Sequence, residues 1–316
     1  VYNTQNFELN KEIKPAEGWC GGCGTRIAFK NNDLIYLATE NGTLSLYNHI
    51  KDKTEAILIN EIDDLSGLSL SNTGTTLALA TDKKIFLFIN NSLTKEIVAE
   101  DEVEFTENAF YPNSENFLQA QDNSKVNLIN SKTFSIEKKY SGFLNDRDLG
   151  SLQYNPNSYW DSYIARYIRF KNQIIISDDG KQLLKGKFGN KIKQWDIATG
   201  KPSMEFKGHD KTALTYLYYN NGKNIISGGG DGKIIFWNTI TGDTIRTIES
   251  YREPIFTVQI NQQADKVLST SWDGSMKIHQ LKDGKLLHYF NLNNYSAYCA
   301  SFHPNDLYVF TGRMDH

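Results

Sequence analysis

One position with a large side chain recurs through the chain at an almost constant interval. It holds Tyr47, Phe88, Ile129, Trp195, Trp237 and His279. Successive members are 41 or 42 residues apart, except that Trp195 follows Ile129 by 66 residues. A fixed period of roughly 40 to 45 residues is typical of folds in which every repeat is one supersecondary unit. The chain is therefore constrained to fold as a series of similar units, with about 25 extra residues inserted once (66 − 41 = 25).

The clearest unit runs from Gly208 to Asn238. Its segment LTYLYY alternates between apolar and polar residues, and NIIS and KIIFW follow as two further apolar segments. Asn221-Gly222 and Asp231-Gly232 stand between these segments and are typical of tight turns. The segment TGDTIRTIE then completes a predicted unit of four short strands before the pattern restarts. The fold class predicted from this pattern is all-β.

Composition limits the environment in which such a chain works. The net charge is −3, and the chain of 316 residues has only 3 cysteines. A balanced charge does not favour binding of the whole molecule to nucleic acid or membrane, and three cysteines do not make a disulfide framework. There is neither an apolar stretch long enough to span a bilayer nor a signal-peptide pattern at the start. We therefore expect a soluble, cytoplasmic protein.

Four polar and aromatic residues of the clearest unit stand at the spacing of the WD-repeat family, which the chain resembles. They are His209 in a Gly-His pair, Ser227 in a strand, Asp231 in a turn and Trp237 in a Trp-Asn ending. The resemblance implies that these side chains form a hydrogen-bonded network inside one blade of a β-propeller. Buried imidazole and carboxylate groups need such partners, so we interpret His209 and Asp231 as structural rather than catalytic.

The ends of the chain complete the repeat count. AYCASFHPNDLYVF resembles the first two strands of a unit, and VYNTQNFELNKEI at the start resembles the rest of one. Joining the two ends restores the period from His279 through Tyr2 to Tyr47, which predicts a seven-bladed propeller whose N-terminal strand closes the last blade. We expect one propeller domain over residues 1–316, with residues 141–172 as an insertion between blades. Because the sequence starts and stops within a unit, we also expect it to be part of a longer chain.

The resemblance implies a non-catalytic scaffold that binds a protein or peptide through the top face, where the Asp-Gly turns lie. Six residues are our candidates for this contact, because Trp and Arg dominate binding hot spots. They are Trp160, Arg166 and Arg169 of the insertion together with Arg252, Trp272 and Arg313. Seven aromatic residues of the insertion are equally compatible with a lid that packs on the propeller itself.

Several alternatives remain open at this point. The lysines from Lys181 to Lys193 favour RNA binding by the fourth blade, and the chain is also compatible with a regulatory propeller of a larger multidomain protein. Cys20 and Cys23 form a Cys-x-x-Cys pair that a zinc site could share with Cys299 and His303. No phosphate-binding loop or catalytic triad order is found, so we expect no enzyme activity, cofactor or metal. The expected partners are other proteins, within a multiprotein complex.

Overall fold

The structure is a computed structural model that describes residues 1–5, 26–38, 43–60, 62, 65–100, 103–112, 114–121, 125–140, 174–186, 190–292 and 297–313. These residues form 27 β-strands and no helix, which confirms the all-β fold class. Within the same ranges there is consequently no helix of the length and apolarity needed to cross a bilayer. Short strands with tight turns are the result expected from the alternating apolar segments.

The first three blades are four-stranded antiparallel sheets in which each strand pairs with the next along the chain. Blade 1 contains β2 (Arg26–Phe29), β3 (Leu34–Ala38), β4 (Thr43–Asn48) and β5 (Lys53–Asn60). Blade 2 contains β6 (Leu65–Leu70), β7 (Thr76–Thr81), β8 (Lys84–Ile89) and β9 (Ser92–Val98). Blade 3 contains β10 (Phe105–Phe110), β11 (Phe117–Gln121), β12 (Val126–Ile129) and β13 (Ile136–Tyr140).

Blades 4 to 6 repeat the same arrangement. Blade 4 contains β14 (Ile174–Ile176), β15 (Gln182–Gly186), β16 (Lys191–Asp196) and β17 (Lys201–Lys207). Blade 5 contains β18 (Ala213–Tyr219), β19 (Asn224–Gly229), β20 (Lys233–Asn238) and β21 (Thr244–Glu249). Blade 6 contains β22 (Ile255–Ile260), β23 (Lys266–Ser271), β24 (Ser275–Gln280) and β25 (Leu286–Asn291). Blade 5 thus has its four strands where the sequence predicted them.

The last blade joins the two ends of the chain. It consists, in the described part, of β26 (Ala297–Phe302), β27 (Tyr308–Arg313) and β1 (Tyr2–Asn3), in the order β1-β27-β26. Beyond the strand pair, the Thr4 hydroxyl donates to the Asp306 carbonyl at 2.6 Å. The Asp306 carboxylate in turn accepts from the Gln262 N–H at 3.0 Å, which ties blade 7 to blade 6. The predicted closure of a seven-bladed ring by the N-terminal strand is confirmed.

The blades follow one another around the ring with their first strands inside. The first strand of each blade lies against the first strand of the next, from β2 and β6 through to β22 and β26. The fourth strands are mostly exposed and form the outer surface. Apolar cores lie between neighbouring blades, as where Leu184 and Ile192 of blade 4 pack with Tyr216 and Trp237 of blade 5. Each blade therefore buries its apolar face against its neighbour, as stacked repeats require.

The recurring large residue has the same setting in blades 1 to 6. Trp195 is paired with Leu183 on the preceding strand, and Trp237 is paired with Ile225 in the same way. Both indoles are buried. In blades 1 to 6 a β-bulge begins at this residue, because the fourth strand carries one extra residue opposite it. The sequence period thus corresponds to one structural position, including where Tyr47, Phe88, Ile129 or His279 replaces tryptophan.

Candidate functional site

The four residues singled out in blade 5 form a continuous hydrogen-bonded network. The Trp237 indole N–H donates to the Ser227 hydroxyl at 2.9 Å, and Ser227 Oγ lies 2.8 Å from His209 Nε2. His209 Nδ1 is 3.0 Å from both carboxylate oxygens of Asp231. Because a carboxylate accepts, His209 donates from Nδ1 and its Nε2 accepts the serine proton. The hydrogen bonds of the network therefore all run in one direction: the indole donates to the serine, the serine to the imidazole, and the imidazole to the carboxylate.

The Asp231 carboxylate also fixes the backbone around it. It accepts the Asp210 N–H at 2.8 Å and the Lys233 N–H at 3.1 Å. Burial alone would raise the pKa of Asp231, but the hydrogen bonds and the attraction of His209 outweigh it and lower the pKa. Although serine, histidine and aspartate occur in hydrolases, Ser227 is fully buried and already bonded to the indole. This arrangement holds the strands and turn together and keeps the Ser227 hydroxyl away from solvent.

In blade 6 the corresponding segments are connected by different residues. Tyr251 stands 42 positions after His209, and its hydroxyl donates directly to the Ser269 carbonyl at 2.9 Å. Asp273, at the place of Asp231, accepts instead from the Ser275 hydroxyl at 2.6 Å and is exposed. Tyr251 reaches the serine strand without an imidazole between them. The turn aspartate of blade 6, Asp273, therefore takes no part in a buried network among the described residues.

One edge of the ring brings two candidate contact residues together. Arg252 lies in the connection from β21 to β22, and Trp272 lies in the turn from β23 to β24, so both are on the edge of the Asp-Gly turns. The backbone N–H of Trp272 donates to the Pro254 carbonyl at 3.0 Å, and this hydrogen bond joins the two segments. The Trp272 ring packs edge-on against Phe256 at 5.6 Å and is half-buried, whereas Arg252 is exposed. A supported indole and an exposed guanidinium therefore lie on the same edge.

Arg313 ends β27, the second strand of the next blade, so its backbone lies on the same edge. Its side chain is outside the described part, as are Trp160, Arg166 and Arg169 and the whole insertion 141–172. The role of these four residues stays a prediction. Phe256, which supports Trp272, was missed because an apolar residue in a first strand cannot be distinguished from ordinary core by its sequence.

Comparison with known families supports the same architecture. A family model described as "WD domain, G-beta repeat" matches residues 200–238, the stretch that carries the network of blade 5. The chain is a WD-repeat propeller. No curated protein matches its sequence at a significant level. The match and the ring of blades together account for the degenerate units, which share the fold of blade 5 without its full residue pattern.

The basic residues of blade 4 are less available to an RNA backbone than the sequence indicated. Lys185 is fully buried in β15 of the WD-repeat propeller. The Lys191 ammonium lies 3.5 Å from Glu205, whose other carboxylate oxygen is 3.1 Å from Lys207. Lys187 is outside the described residues. The described lysines therefore do not form a continuous free stripe of charge, which weakens the nucleic-acid alternative.

Two of the four residues considered for a zinc site, Cys299 and His303, lie in the described part of the chain. Cys20 and Cys23 are outside the described residues, and Cys299 lies in β26. His303 bonds blade 7 to blade 1, because its Nε2 is 2.8 Å from the Asn32 carbonyl and 3.1 Å from His49 Nε2. Its Nδ1 accepts the Asn305 N–H at 3.1 Å, so the imidazole proton lies on Nε2. A metal bound at Nε2 would require that proton on Nδ1, so His303 does not fit a ligand role.

Blades 5 and 6 differ at the recurring large residue and also at a second residue that lies against its ring. A Cβ on Gly208 would lie 2.8 Å from Cη2 of Trp237, so this glycine leaves space for the indole. In blade 6 the smaller His279 stands at the tryptophan position, and Ser250 replaces the glycine. The Ser250 hydroxyl lies 3.4 Å from His279 Nε2 and fills the space. Blades 5 and 6 thus each contain a matched pair of residues at these two positions.

This pairing predicts a strong coupling in blade 6. His279→Trp alone should lower the free energy of unfolding by about 1–3 kcal/mol, because the indole meets the Ser250 side chain. Adding Ser250→Gly should recover most of that loss. Urea denaturation of the two single variants and the double variant measures the coupling energy. Strictly additive effects would show that the two positions do not share this space.

Proposed function

We propose that this WD-repeat propeller is a non-catalytic interaction platform that binds a protein or peptide through the edge carrying the Asp-Gly turns. The observation that carries the proposal is the placement of Trp272 and Arg252 on this one edge. Because the Trp272 indole is packed edge-on against Phe256, it loses little conformational entropy when a partner covers it. The exposed Arg252 guanidinium can donate two N–H groups to one carboxylate. The partner that fits this pair is an acidic or carboxylate-bearing peptide. A cytoplasmic location within a multiprotein complex is part of the same proposal.

The insertion is proposed to extend this surface. Residues 141–172 connect β13 of blade 3 to β14 of blade 4, and connections of this type begin and end at the same edge as Arg252. Trp160, Arg166 and Arg169 would add one large apolar group and two cations to it, and Arg313 a further cation. Their residue types are those that dominate binding energy at interfaces.

The proposal predicts which partners are lost on mutation. Proteins recovered with wild type should fall at least about tenfold with the double variant Trp272→Ala, Arg252→Ala, since each residue type can supply over ~1 kcal/mol of binding energy. Quantitative mass spectrometry of affinity-purified complexes makes the comparison. The same experiment with Trp160→Ala, Arg166→Ala tests the insertion separately.

A matched control is available on the opposite edge of the same two blades. Ile240 and Lys282 lie in the turns between third and fourth strands, and both are exposed. The variant Ile240→Ala, Lys282→Ala therefore also removes one large apolar group and one cation. It should leave partner recovery unchanged. Equal losses in both double variants, or none in either, would contradict binding at the Asp-Gly edge.

A further inference from the structure

The third strand of blade 6 contains a lysine where blade 5 has a buried apolar residue. Lys277 is paired with Ser269 as Ile235 is paired with Ser227. Its Nζ lies 4.0 Å from the ring centre of Tyr251 and 6.0 Å from that of Tyr289. It donates one hydrogen bond to the Ser250 carbonyl. The ammonium is thus held in a fixed place by aromatic rings and one backbone group.

The charge of this ammonium is not neutralised within the described part of the chain. No described carboxylate forms a salt bridge with Lys277, whereas Lys84 and Lys191 on other blades pair with Glu96 at 3.1 Å and Glu205 at 3.5 Å. Asp273 favours the charged form only at longer range, since its carboxylate bonds Ser275. Lys277 is half-buried, so water solvates the ammonium incompletely, and this burial lowers the pKa of Lys277. A carboxylate brought to this place would restore the lost solvation.

Exposed apolar side chains flank the lysine on the same face. Tyr289 lies directly opposite Lys277 on β25 and is 57% exposed. Leu286 lies opposite His279, two residues further along β24, and is 47% exposed. Tyr251, which contacts the ammonium, is itself buried, so we call Lys277, Leu286 and Tyr289 the Lys277 surface. It combines one positioned cation with a tyrosine and a leucine on an outermost strand, where a partner has free access.

We propose that the Lys277 surface binds an acidic segment of a partner protein, with an Asp or Glu carboxylate at Lys277 and an adjacent apolar side chain on Tyr289 and Leu286. A polypeptide fits better than a nucleic acid, because a phosphate backbone is held by rows of cations and this surface offers one cation among apolar groups. Tyrosine is also one of the residues that supply most of the binding energy at protein interfaces. This contact uses residues other than Arg252 and Trp272 and does not depend on the function proposed above.

The test uses a random dodecapeptide display library as the probe. Selection is carried out on the Trp272→Ala, Arg252→Ala protein, so that binding at the Asp-Gly edge does not contribute. We expect enrichment of peptides with Asp or Glu next to Leu, Ile, Phe, Tyr or Trp. For a selected peptide, Lys277→Gln should raise Kd at least about tenfold in fluorescence anisotropy, because a hydrogen bond to a charged group is lost.

Two controls make the result decisive. Lys266→Gln removes another lysine of blade 6, which is partly exposed and lies 3.3 Å from the Asp265 carboxylate, and should leave Kd unchanged. Tyr289→Ser removes an exposed side chain, so the fold should persist while Kd rises several-fold, and this variant decides the question if Lys277→Gln unfolds. Selected peptides without acidic residues, or a Kd that neither Lys277→Gln nor Tyr289→Ser changes, would overturn the proposal.

Discussion

Gly229→Ala is expected to lower the free energy of unfolding by about 3 kcal/mol or more, because it breaks a hydrogen bond to a buried carboxylate, and a buried charged group left unsatisfied costs more than the ~1–3 kcal/mol of a neutral one. A Cβ on Gly229 would lie 2.4 Å from His209 Nδ1 and 2.5 Å from Asp231 Oδ1. These side chains are 0% and 4% exposed, so neither can move into solvent without opening the blade. The methyl group would therefore separate the imidazole from the carboxylate and leave both buried. Urea denaturation followed by circular dichroism measures the loss.

The neighbouring residue supplies the control for this substitution. A Cβ on Gly230 would come no closer than 3.4 Å to any atom, the nearest being Lys211 Cβ. Neither Gly229 nor Gly230 has a positive φ, so alanine is compatible with the backbone at both positions. Gly230→Ala should change stability by less than about 1 kcal/mol. Similar losses in the two variants would mean that backbone conformation, and not the His209–Asp231 pair, makes glycine necessary.

Mild acid is expected to destabilise the propeller through His279. Burial, aided by the charge of Lys277, lowers the pKa of His279 to about 4 from the ordinary value of 6.5. Its ring is 3% exposed, and within the described residues its Nδ1 has no hydrogen-bond partner. The unfolded chain takes up a proton near pH 6.5 while the folded protein does not. The stabilisation is thus complete above pH 6.5 and lost as pH falls toward 4, by about 3 kcal/mol in total.

The pH dependence can be assigned to His279 by replacement. Phe88 occupies the equivalent position in blade 2 and is buried, so His279→Phe keeps an aromatic ring there. Chemical denaturation from pH 7 to 4.5 should show a much weaker loss of stability in this variant than in wild type. His288→Gln removes a partly exposed histidine of the same blade and should keep most of the slope. If His279→Phe retains the full slope, the acid sensitivity lies elsewhere.

The period and the alternation of apolar residues were sufficient to predict the blades, the strands of blade 5 and the closure of the ring. These features depend on which faces are apolar and on turn residues such as Gly232, which local sequence specifies. The network of blade 5 was predicted through four residue types that match a family pattern. The shared edge of Arg252 and Trp272 followed from the order of strands and turns.

The replacements within degenerate blades could not be predicted. The sequence around Tyr251 does not indicate that this residue takes the place of His209. The replacement depends on the Tyr251 hydroxyl reaching Ser269, which only the structure shows. The change from Gly208 in blade 5 to Ser250 in blade 6 is explained only by the structure, in which Trp237 lies against the first residue and His279 against the second. Such pairs depend on side-chain volumes across the blade, and the period of the sequence carries no information about them. The Lys277 surface was missed for the same reason.

The bulge opposite the recurring large residue affects how these molecules meet one another. In blades 1 to 6 the extra residue lies in the fourth strand, as Ile245 does between the partners of Phe236 and Trp237. That strand is the free edge of its sheet, and a bulge bends the edge and interrupts its row of backbone donors and acceptors. Straight edges are the ones that pair between molecules and start aggregates. The same irregularity that accommodates the buried ring thus also protects six open sheet edges from self-association.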